Sequence, residues 1–256
     1  MTTWLVEAAV GAHLDLLDAA CPGLVVEMHL TGSVALGDYK PGASDIDALC
    51  VVDHPLEPAE LDVLRDVHEQ HRGRHIDAVY LTSAELAAHP SSAAAPHAHQ
   101  GRFSTDRAFD ANPSVWRTLQ VAPFPVRGRP AGDVWFDAQE LIRWNRANLA
   151  GYWRDWVSWL RERAPSPTRA IDPNGLPWLV LGVSRLHHTI ETLGITSKTG
   201  GGRWARAQFD ARWHPIIDHA LACRAGTPPP EPYGPVEVLH ADAADFAEMV
   251  IEAAGA

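Results

Sequence analysis

Apolar residues occur at two different spacings along the chain, and the first half contains both. Short apolar runs bounded by Gly, Pro, Ser and Asp are typical of β-strands. They predict strands over residues 24–30, 46–52 and 75–81. Helical spacing predicts helices over residues 3–19 and 57–71, and Thr82-Ser83 followed by Glu85 predicts another helix start. The small and polar segment 90–102 is interpreted as a mobile loop.

The second half shows helical spacing only. It predicts helices over residues 137–163, 175–192, 206–224 and 241–254. The Pro- and Gly-rich run APFPVRGRPAG that precedes them is typical of a connection between domains. We therefore predict an α+β protein in two domains, with a mixed β-sheet flanked by helices in residues 1–130 and an α-helical bundle in residues 131–256.

Composition and charge narrow the class of partner and the compartment. The formal net charge is −11, with 21 Lys and Arg against 32 Asp and Glu. A nucleic-acid interface needs cations for the phosphates, so we expect no nucleic-acid partner. Three widely separated cysteines without a CxxC pair argue against a disulfide framework and against structural zinc. With no basic leader and no apolar run of membrane-spanning length, we expect a cytoplasmic protein that does not bind membranes.

The candidate chemistry begins between the first two predicted strands. The first strand runs into Gly32-Ser33, and after a gap of eleven residues Asp45-Ile46-Asp47 begins the next apolar strand. Glycine lets the backbone approach a phosphate closely, and serine adds a hydroxyl donor. Alternate residues of a strand point to one face, so the two carboxylates should project together, about 7 Å apart along the backbone.

These acids indicate a divalent cation. Two carboxylates on one face repel each other, and a cation offsets the cost of keeping both ionised beside an apolar strand. Hard oxygen ligands that share a site with triphosphate oxygens suit Mg²⁺. Asp77 lies among the apolar residues of the third predicted strand. If the strands are neighbours, Asp77 joins Asp45 and Asp47 as a metal ligand or takes a proton from an attacking hydroxyl.

This segment resembles the nucleotidyltransferase superfamily, whose signature is Gly-Ser, a gap and then Asp-x-Asp. It is similar in particular to the aminoglycoside adenylyltransferases that modify streptomycin or spectinomycin, with one extra residue in the turn 40–44. The resemblance implies a nucleotidyltransferase domain in residues 1–130 that uses ATP and Mg²⁺. It also implies nucleotide contacts from Gly32, Ser33 and Ser44 and metal binding by the Asp-x-Asp pair.

A second similarity lies in the predicted bundle. The stretch WLVLGVSRLHHTIETLGITSKTGGGRWA resembles that group's helix with an Arg, followed by a short loop with Ile-x-x-Lys and a downstream Trp-Ala. By position, the resemblance implies that Arg185 and Lys198 neutralise the β- and γ-phosphates. It further implies that residues 131–256 clamp nucleotide and substrate and that the active site lies in the cleft between the domains. A structural ion pair for Arg185 and an ordinary loop position for Lys198 are the alternatives.

The chain departs from the group at two places. The group's catalytic base is commonly Glu, whereas Asp77 is one methylene shorter, which moves the base back or restricts Asp77 to metal binding. The segment 175–178 reads Gly-Leu-Pro-Trp where the streptomycin-modifying members carry an acid, so drug specificity does not transfer.

Several other side chains have two interpretations. The tryptophans spaced along the first helix of the bundle are predicted to pack between helices rather than to stack on a ligand: Trp144, Trp153, Trp156 and Trp159. His187-His188 either line the cleft or pack in the core. His97 and His99 either bind metal or lie in a polar loop, and the loop is the preferred interpretation.

We therefore predict an adenylyltransferase, acting as a monomer, that transfers AMP from ATP to a hydroxyl of a small and cationic molecule, an aminoglycoside-type antibiotic. A nucleotidyltransferase that modifies a protein or tRNA, of regulatory or toxin–antitoxin type, is the alternative. A binding module with a dead active site is the third possibility, and the three intact acids argue against it. The acidic charge and the resemblance of the helical part favour the small-molecule substrate.

Overall fold

The computed structural model describes residues 2–70, 76–90, 95–106, 108–162, 175–230 and 233–256, without the side chains of Thr2 and Thr3. The chain divides into two compact units, Met1–Asp137 and Ala138–Ala256. The assignment of one function to residues 1–130 and another to residues 131–256 stays a prediction.

The first unit is built on a mixed β-sheet. Its described strands are β1 Val25–Leu30, β2 Ile46–Val52, β3 Ile76–Thr82, β4 His97–His99, β5 Arg102–Ser104 and β6 Pro125–Arg127. They lie in the order β5-β4-β3-β2-β1-β6, with β2 and β3 parallel and the other neighbouring pairs antiparallel. The three strands predicted from the apolar runs are thus present.

Helices cover both faces of this sheet. They are α1 Thr2–Ala20, α2 Gly32–Ala35, α3 Pro58–Gln70, α4 Ser83–Leu86 and α5 Pro113–Val121. Because side chains alternate along a strand, every second residue of β2 and β3 packs with α1 and α3 in one core cluster. The residues between them, including Leu49 and Val79, pack with Trp116 of α5 in a second cluster on the opposite face. The predicted helix start is confirmed, since Thr82 and Glu85 form a capping box.

The interpretation of residues 90–102 as a loop is wrong for its last part. Strands β4 and β5 form a hairpin whose two-residue turn, Gln100-Gly101, has φ of 49° and 72°. Two positive φ values in sequence are typical of the type I′ turn that matches strand twist. Each strand has only three residues, which is too short to produce a visible alternation in the sequence. Residues 91–94 lie outside the described residues.

The second unit is a helical bundle, as predicted. Its helices are α6 Ala138–Asn148, α7 Arg154–Glu162, α8 Gly175–Thr192, α9 Lys198–Gln208, α10 His214–Ala225 and α11 Val236–Ala253. A π-helical turn, Leu149–Trp153, joins α6 to α7, where one unbroken helix was predicted. Helix α8 is buried over most of its length and packs against α6, α9, α10 and α11.

The chain also breaks where a single helix was predicted over 206–224. Helix α9 ends at Gln208, and a short 3-10 turn, Ala211–Trp213, precedes α10. Asp210 accepts from the backbone of Arg212 at the start of that turn, and Pro215 lies in the first turn of α10. Both are helix-start signals, which a spacing argument alone overlooks.

Among the helices that the structure describes, none is both long enough and apolar enough to span a membrane.

Candidate active site

The register of the parallel pair β2–β3 brings two of the predicted acids side by side. Asp47 is aligned with Asp77, and Ile46 with Ile76. Both acids belong to the alternate set of residues that includes Leu49 and Val79, so both side chains lie on one face of the sheet. Asp77 is buried and Asp47 is partly buried. The third predicted acid, Asp45, is exposed just before β2 begins.

Gly32 lies directly against the Asp47 carboxylate. A Cβ added at Gly32 would overlap that carboxylate and would come within 2.8 Å of its Cγ. Gly32 also has a φ of 53°, in the left-handed region that other residues adopt only at a cost. The Thr31 N–H donates to the Asp47 carbonyl oxygen at 2.8 Å, which ties the two segments together. The Gly-Ser and Asp-x-Asp motifs, separated in sequence, are therefore one structural element.

Ser33 contributes a buried hydroxyl group to the element formed by the two motifs. Its Oγ is buried and has no hydrogen-bond partner among the described residues, while its carbonyl oxygen accepts from the Asp38 N–H at 2.8 Å. A buried hydroxyl left without a partner costs about 1–3 kcal/mol. A ligand oxygen beside α2 would remove that cost, so the serine fits a phosphate-binding role.

Ser44 closes the turn that leads to the Asp-x-Asp pair. Its Oγ accepts from the Lys40 N–H at 3.1 Å, and its own N–H donates to the Lys40 carbonyl oxygen at 2.9 Å. The Lys40 ammonium lies 3.8 Å from the buried Asp38 carboxylate. These contacts fix the chain just before Asp45, and a contact of Ser44 with nucleotide stays a prediction.

Asp77 has two hydrogen-bond donors that the sequence argument missed. His99 Nδ1 lies 2.8 Å from Asp77 Oδ2, and the Gln100 N–H donates to Asp77 Oδ1 at 2.8 Å. An ionised carboxylate only accepts, so Nδ1 of His99 donates the proton of this bond. The His99 side chain is 60% exposed, whereas that of Asp77 is 3% exposed. The β4–β5 turn thus orients the buried carboxylate.

Negative charge surrounds His99. The hydrogen bond to Asp77 raises the pKa of His99, partial burial opposes the rise, and the nearby charges of Asp77, Asp110 and Asp45 add to it. His99 lies in strand β4, so the preferred interpretation of this residue as a side chain of a polar loop is wrong. Its position depends on the pairing of β4 with β3, which the spacing of apolar residues in the sequence does not predict.

The carboxylates do not form a closed metal site by themselves. Within the described ranges, no group of three or more His, Cys, Asp or Glu side chains is arranged to hold a metal ion. Magnesium in nucleotide enzymes commonly takes one or two carboxylates, and the substrate phosphates and water supply the other ligands. Asp45 and Asp47 fit that donor set, and their metal binding stays a prediction, as does that of Asp77.

The second unit brings the two predicted cations onto neighbouring helices. Arg185 lies on α8, and Lys198 is the first residue of α9 rather than a loop residue. The Ser197 Oγ caps α9 by accepting from the Gly200 N–H at 3.1 Å. A Cβ added at Gly201 would lie 2.9 Å from the backbone nitrogen and from the Cγ of Arg185. The glycine therefore lets α9 begin close beside Arg185.

His187 contacts a neighbouring tryptophan, and the tryptophans that were predicted to pack between helices differ in burial. The Trp204 Nε1–H donates to His187 Nδ1 at 3.2 Å, and burial lowers the pKa of His187 and of His188. Trp153 lies in the core of the unit, whereas Trp159 is 41% exposed.

Two sequence families match the chain, one in each unit. The nucleotidyltransferase domain matches residues 15–95, and the C-terminal domain of aminoglycoside adenylyltransferases matches residues 155–251. Together they cover more than half of the chain. The chain belongs to the nucleotidyltransferases of the aminoglycoside adenylyltransferase type. It is therefore an enzyme, an adenylyltransferase. Among curated proteins, none matches its sequence.

A solved structure supports the same fold. It is that of spectinomycin adenyltransferase AAD(9) from Enterococcus faecialis with ATP and spectinomycin, and its TM-score is 0.61. The match covers 94% of this chain and 99% of that chain at 13% identity. Such an identity supports a conclusion about the fold only, and it confirms the predicted nucleotidyltransferase fold followed by a helical region.

Proposed function

We propose that this adenylyltransferase transfers AMP from ATP to a hydroxyl group of an aminoglycoside-type antibiotic, in the presence of Mg²⁺ and with release of pyrophosphate. The observation that carries the proposal is the in-register pair of Asp47 and Asp77, with Gly32 packed against the Asp47 carboxylate. The relative with the same fold was crystallised with ATP and spectinomycin, which supports this class of substrates.

Nucleotide binding is assigned to both sequence motifs, the Gly-Ser and Asp-x-Asp segment and the segment that contains Arg185 and Lys198. The buried Ser33 hydroxyl, for which the described part of the chain offers no partner, would donate to a phosphate oxygen. Asp45 and Asp47 would hold Mg²⁺, which when bound supplies positive charge to the triphosphate. Arg185 and Lys198 would contact the β- and γ-phosphates and neutralise the charge that develops on the leaving pyrophosphate. A triphosphate requires cations and hydrogen-bond donors, which the two basic side chains, the Ser33 hydroxyl and the metal held by the acids would supply.

The transfer itself is an in-line displacement. The acceptor oxygen forms a bond to the α-phosphorus as the bond from that phosphorus to the bridging oxygen breaks, and pyrophosphate leaves. The hydroxyl proton passes to the Asp77 carboxylate, which His99 and the Gln100 N–H hold in one orientation. Positioning and charge stabilisation account for most of the catalysis.

The acceptor is assigned from charge. A protein with a net charge of −11 attracts cations, and aminoglycosides carry several ammonium groups. The same charge disfavours tRNA, whose phosphates would be repelled.

Asp47→Asn tests the catalytic proposal. Loss of a metal carboxylate should lower kcat/KM by about 10³-fold or more. The matched control is Asp62→Asn, because Asp62 is an exposed acid of α3 that pairs with Arg65. Activity of the Asp47 variant within about two-fold of wild type would refute the assignment of this site.

A thermal-shift panel tests the acceptor. Mg·ATP should raise Tm, and an aminoglycoside added to that complex should raise it further, since a ligand at 100 times its Kd stabilises by about 2.7 kcal/mol. A shift with Mg·ATP but with no member of an aminoglycoside panel would exclude this acceptor class and favour a protein or tRNA substrate.

A further inference from the structure

The ammonium group of Lys198 lies over the indole ring of Trp178. Lys198 Nζ is 4.3 Å from the ring centroid, within the range of an attractive cation–π contact. Trp178 and Arg185 are seven residues apart on α8, so they lie on one face of that helix. The ring therefore holds the Lys198 charge at the face of α8 that also bears Arg185.

The ring of Trp178 is itself held in place. Its Nε1–H donates to the Tyr152 hydroxyl at 3.2 Å, and its centroid lies 5.7 Å from that of Trp153. Tyr152 and Trp153 pack edge to face at 5.2 Å. Both belong to the π-helical turn Leu149–Trp153. Such turns insert one residue into a helix and frequently occur at functional sites.

A glycine of α8 makes room for this arrangement. A Cβ added at Gly182 would overlap the Trp153 ring, which is buried in the core of the unit. Trp153 is therefore fixed by close contact with α8, and it supports one side of Trp178. The order of contacts is Gly182 to Trp153, Trp153 to Trp178, and Trp178 to Lys198.

We propose that Trp178 is a positioning residue that holds the Lys198 ammonium on the face of α8 that also bears Arg185, where it would meet the triphosphate. The inference rests on the proposed function, in which Lys198 contacts the phosphates. A lysine side chain has many rotamers, and a contact that restricts them before binding reduces the entropy lost when the nucleotide arrives. An aromatic ring suits this task because it attracts the ammonium without neutralising its charge.

A double-mutant cycle on the binding of Mg·ATP tests the proposal without any acceptor. The dissociation constant is measured by titration calorimetry for wild type, Trp178→Leu, Lys198→Met and the double variant. Lys198→Met should weaken binding by about 10- to 100-fold, as expected for a charge-assisted phosphate contact. Trp178→Leu should weaken it by about 3- to 10-fold, and adding it to Lys198→Met should change binding by less than about two-fold.

Two further variants separate positioning from folding. Trp178→Phe retains an aromatic face and should bind Mg·ATP within about two-fold of wild type. Trp159→Leu is the matched control, because Trp159 is an exposed tryptophan of the same unit, and it should leave binding unchanged. Thermal unfolding of each full-length variant shows that the compared proteins are folded.

The outcomes distinguish this inference from the proposed function. Suppose that Lys198→Met binds Mg·ATP weakly and that Trp178→Leu weakens binding equally in wild type and in the Lys198→Met variant. That result would overturn the positioning role and leave the proposed function standing. A Phe variant as impaired as the Leu variant would do the same. Wild-type binding by Lys198→Met would instead remove Lys198 from the phosphate site, and the positioning role would be overturned with it.

Discussion

The two units place their candidate functional groups by different physical means. In the first unit, backbone hydrogen bonds between parallel strands align Asp47 and Asp77, which are thirty residues apart in sequence. In the second unit, Arg185 and Lys198 lie on separate helices, Gly201 lets those helices approach closely, and the Trp178 ring contacts the Lys198 ammonium. A site fixed by strand register depends on the backbone, whereas a site fixed by helix packing depends on the size of each contacting residue.

Asp77→Asn should have the largest effect among the changes that probe this contrast. Asparagine keeps the shape of the side chain but does not take a proton, so kcat should fall by about 10²- to 10⁴-fold. His99→Ala removes only one of the two donors to the carboxylate and should cost about 10- to 100-fold. Steady-state rates at saturating Mg·ATP measure both. Equal effects of the two changes would mean that His99 takes part in the reaction directly.

Gly32→Ala tests the register site through its backbone. The added methyl group would displace the Asp47 carboxylate, and a displacement of about 1 Å at a reacting group costs about 10²-fold in rate. Gly37→Ala is the matched control, because Gly37 also has a positive φ, of 66°, but nothing lies within 4 Å of an added Cβ. The control should lose about 1–2 kcal/mol of stability from strain alone. If both variants retain the same activity, the contact with Asp47 is unimportant.

Gly201→Ala makes the corresponding test of the helix-packed site. Its Cβ would meet the backbone of Arg185, and α9 would have to move away at a cost of about 1–3 kcal/mol of stability. The KM for ATP should rise while kcat changes less, because the acids of the first unit stay in register. Gly151→Ala, where nothing lies within 4 Å of an added Cβ, should be neutral or stabilising by up to about 1 kcal/mol. A variant at Gly201 with unchanged KM would show that the spacing of α8 and α9 does not govern nucleotide binding.

The same contrast explains what the sequence could predict. Short apolar runs located β2 and β3, and Asp77 was expected to share a face with the other acids if the two strands are neighbours, which their parallel register bears out for Asp47. The contact of His99 with Asp77 was missed because it depends on a three-residue strand pairing with β3. Lys198 was interpreted as a loop residue because three glycines follow it, yet packing on α8 overrides their low helix propensity. Tertiary contacts of small residues leave no periodic pattern in a sequence, so they cannot be predicted from periodicity.

The smallest expected effect is the pH dependence of stability that His187 of the second unit contributes. Burial lowers the pKa of His187 below its ordinary value near 6.5, and the neighbouring charge of Glu191 opposes this only partly. The folded state therefore favours the neutral ring, and the unfolded chain binds the proton more readily. Its contribution to stability is complete above about pH 6.5 and is lost as the pH falls toward the lowered value.

His187→Gln removes this titration while keeping an acceptor for the Trp204 Nε1–H. The urea midpoint of the variant should therefore fall less steeply than that of wild type between about pH 7 and pH 5. Histidines with lowered pKa values remain in the variant (His188, His219 and His240), and the raised pKa of His99 acts in the opposite direction, so the difference between wild type and variant isolates His187. No corresponding change is expected in the activity ratio of Gly32→Ala to Gly37→Ala, since that ratio depends on the first unit. If the urea midpoints of wild type and His187→Gln change in parallel with pH, burial of this ring does not disfavour its protonation.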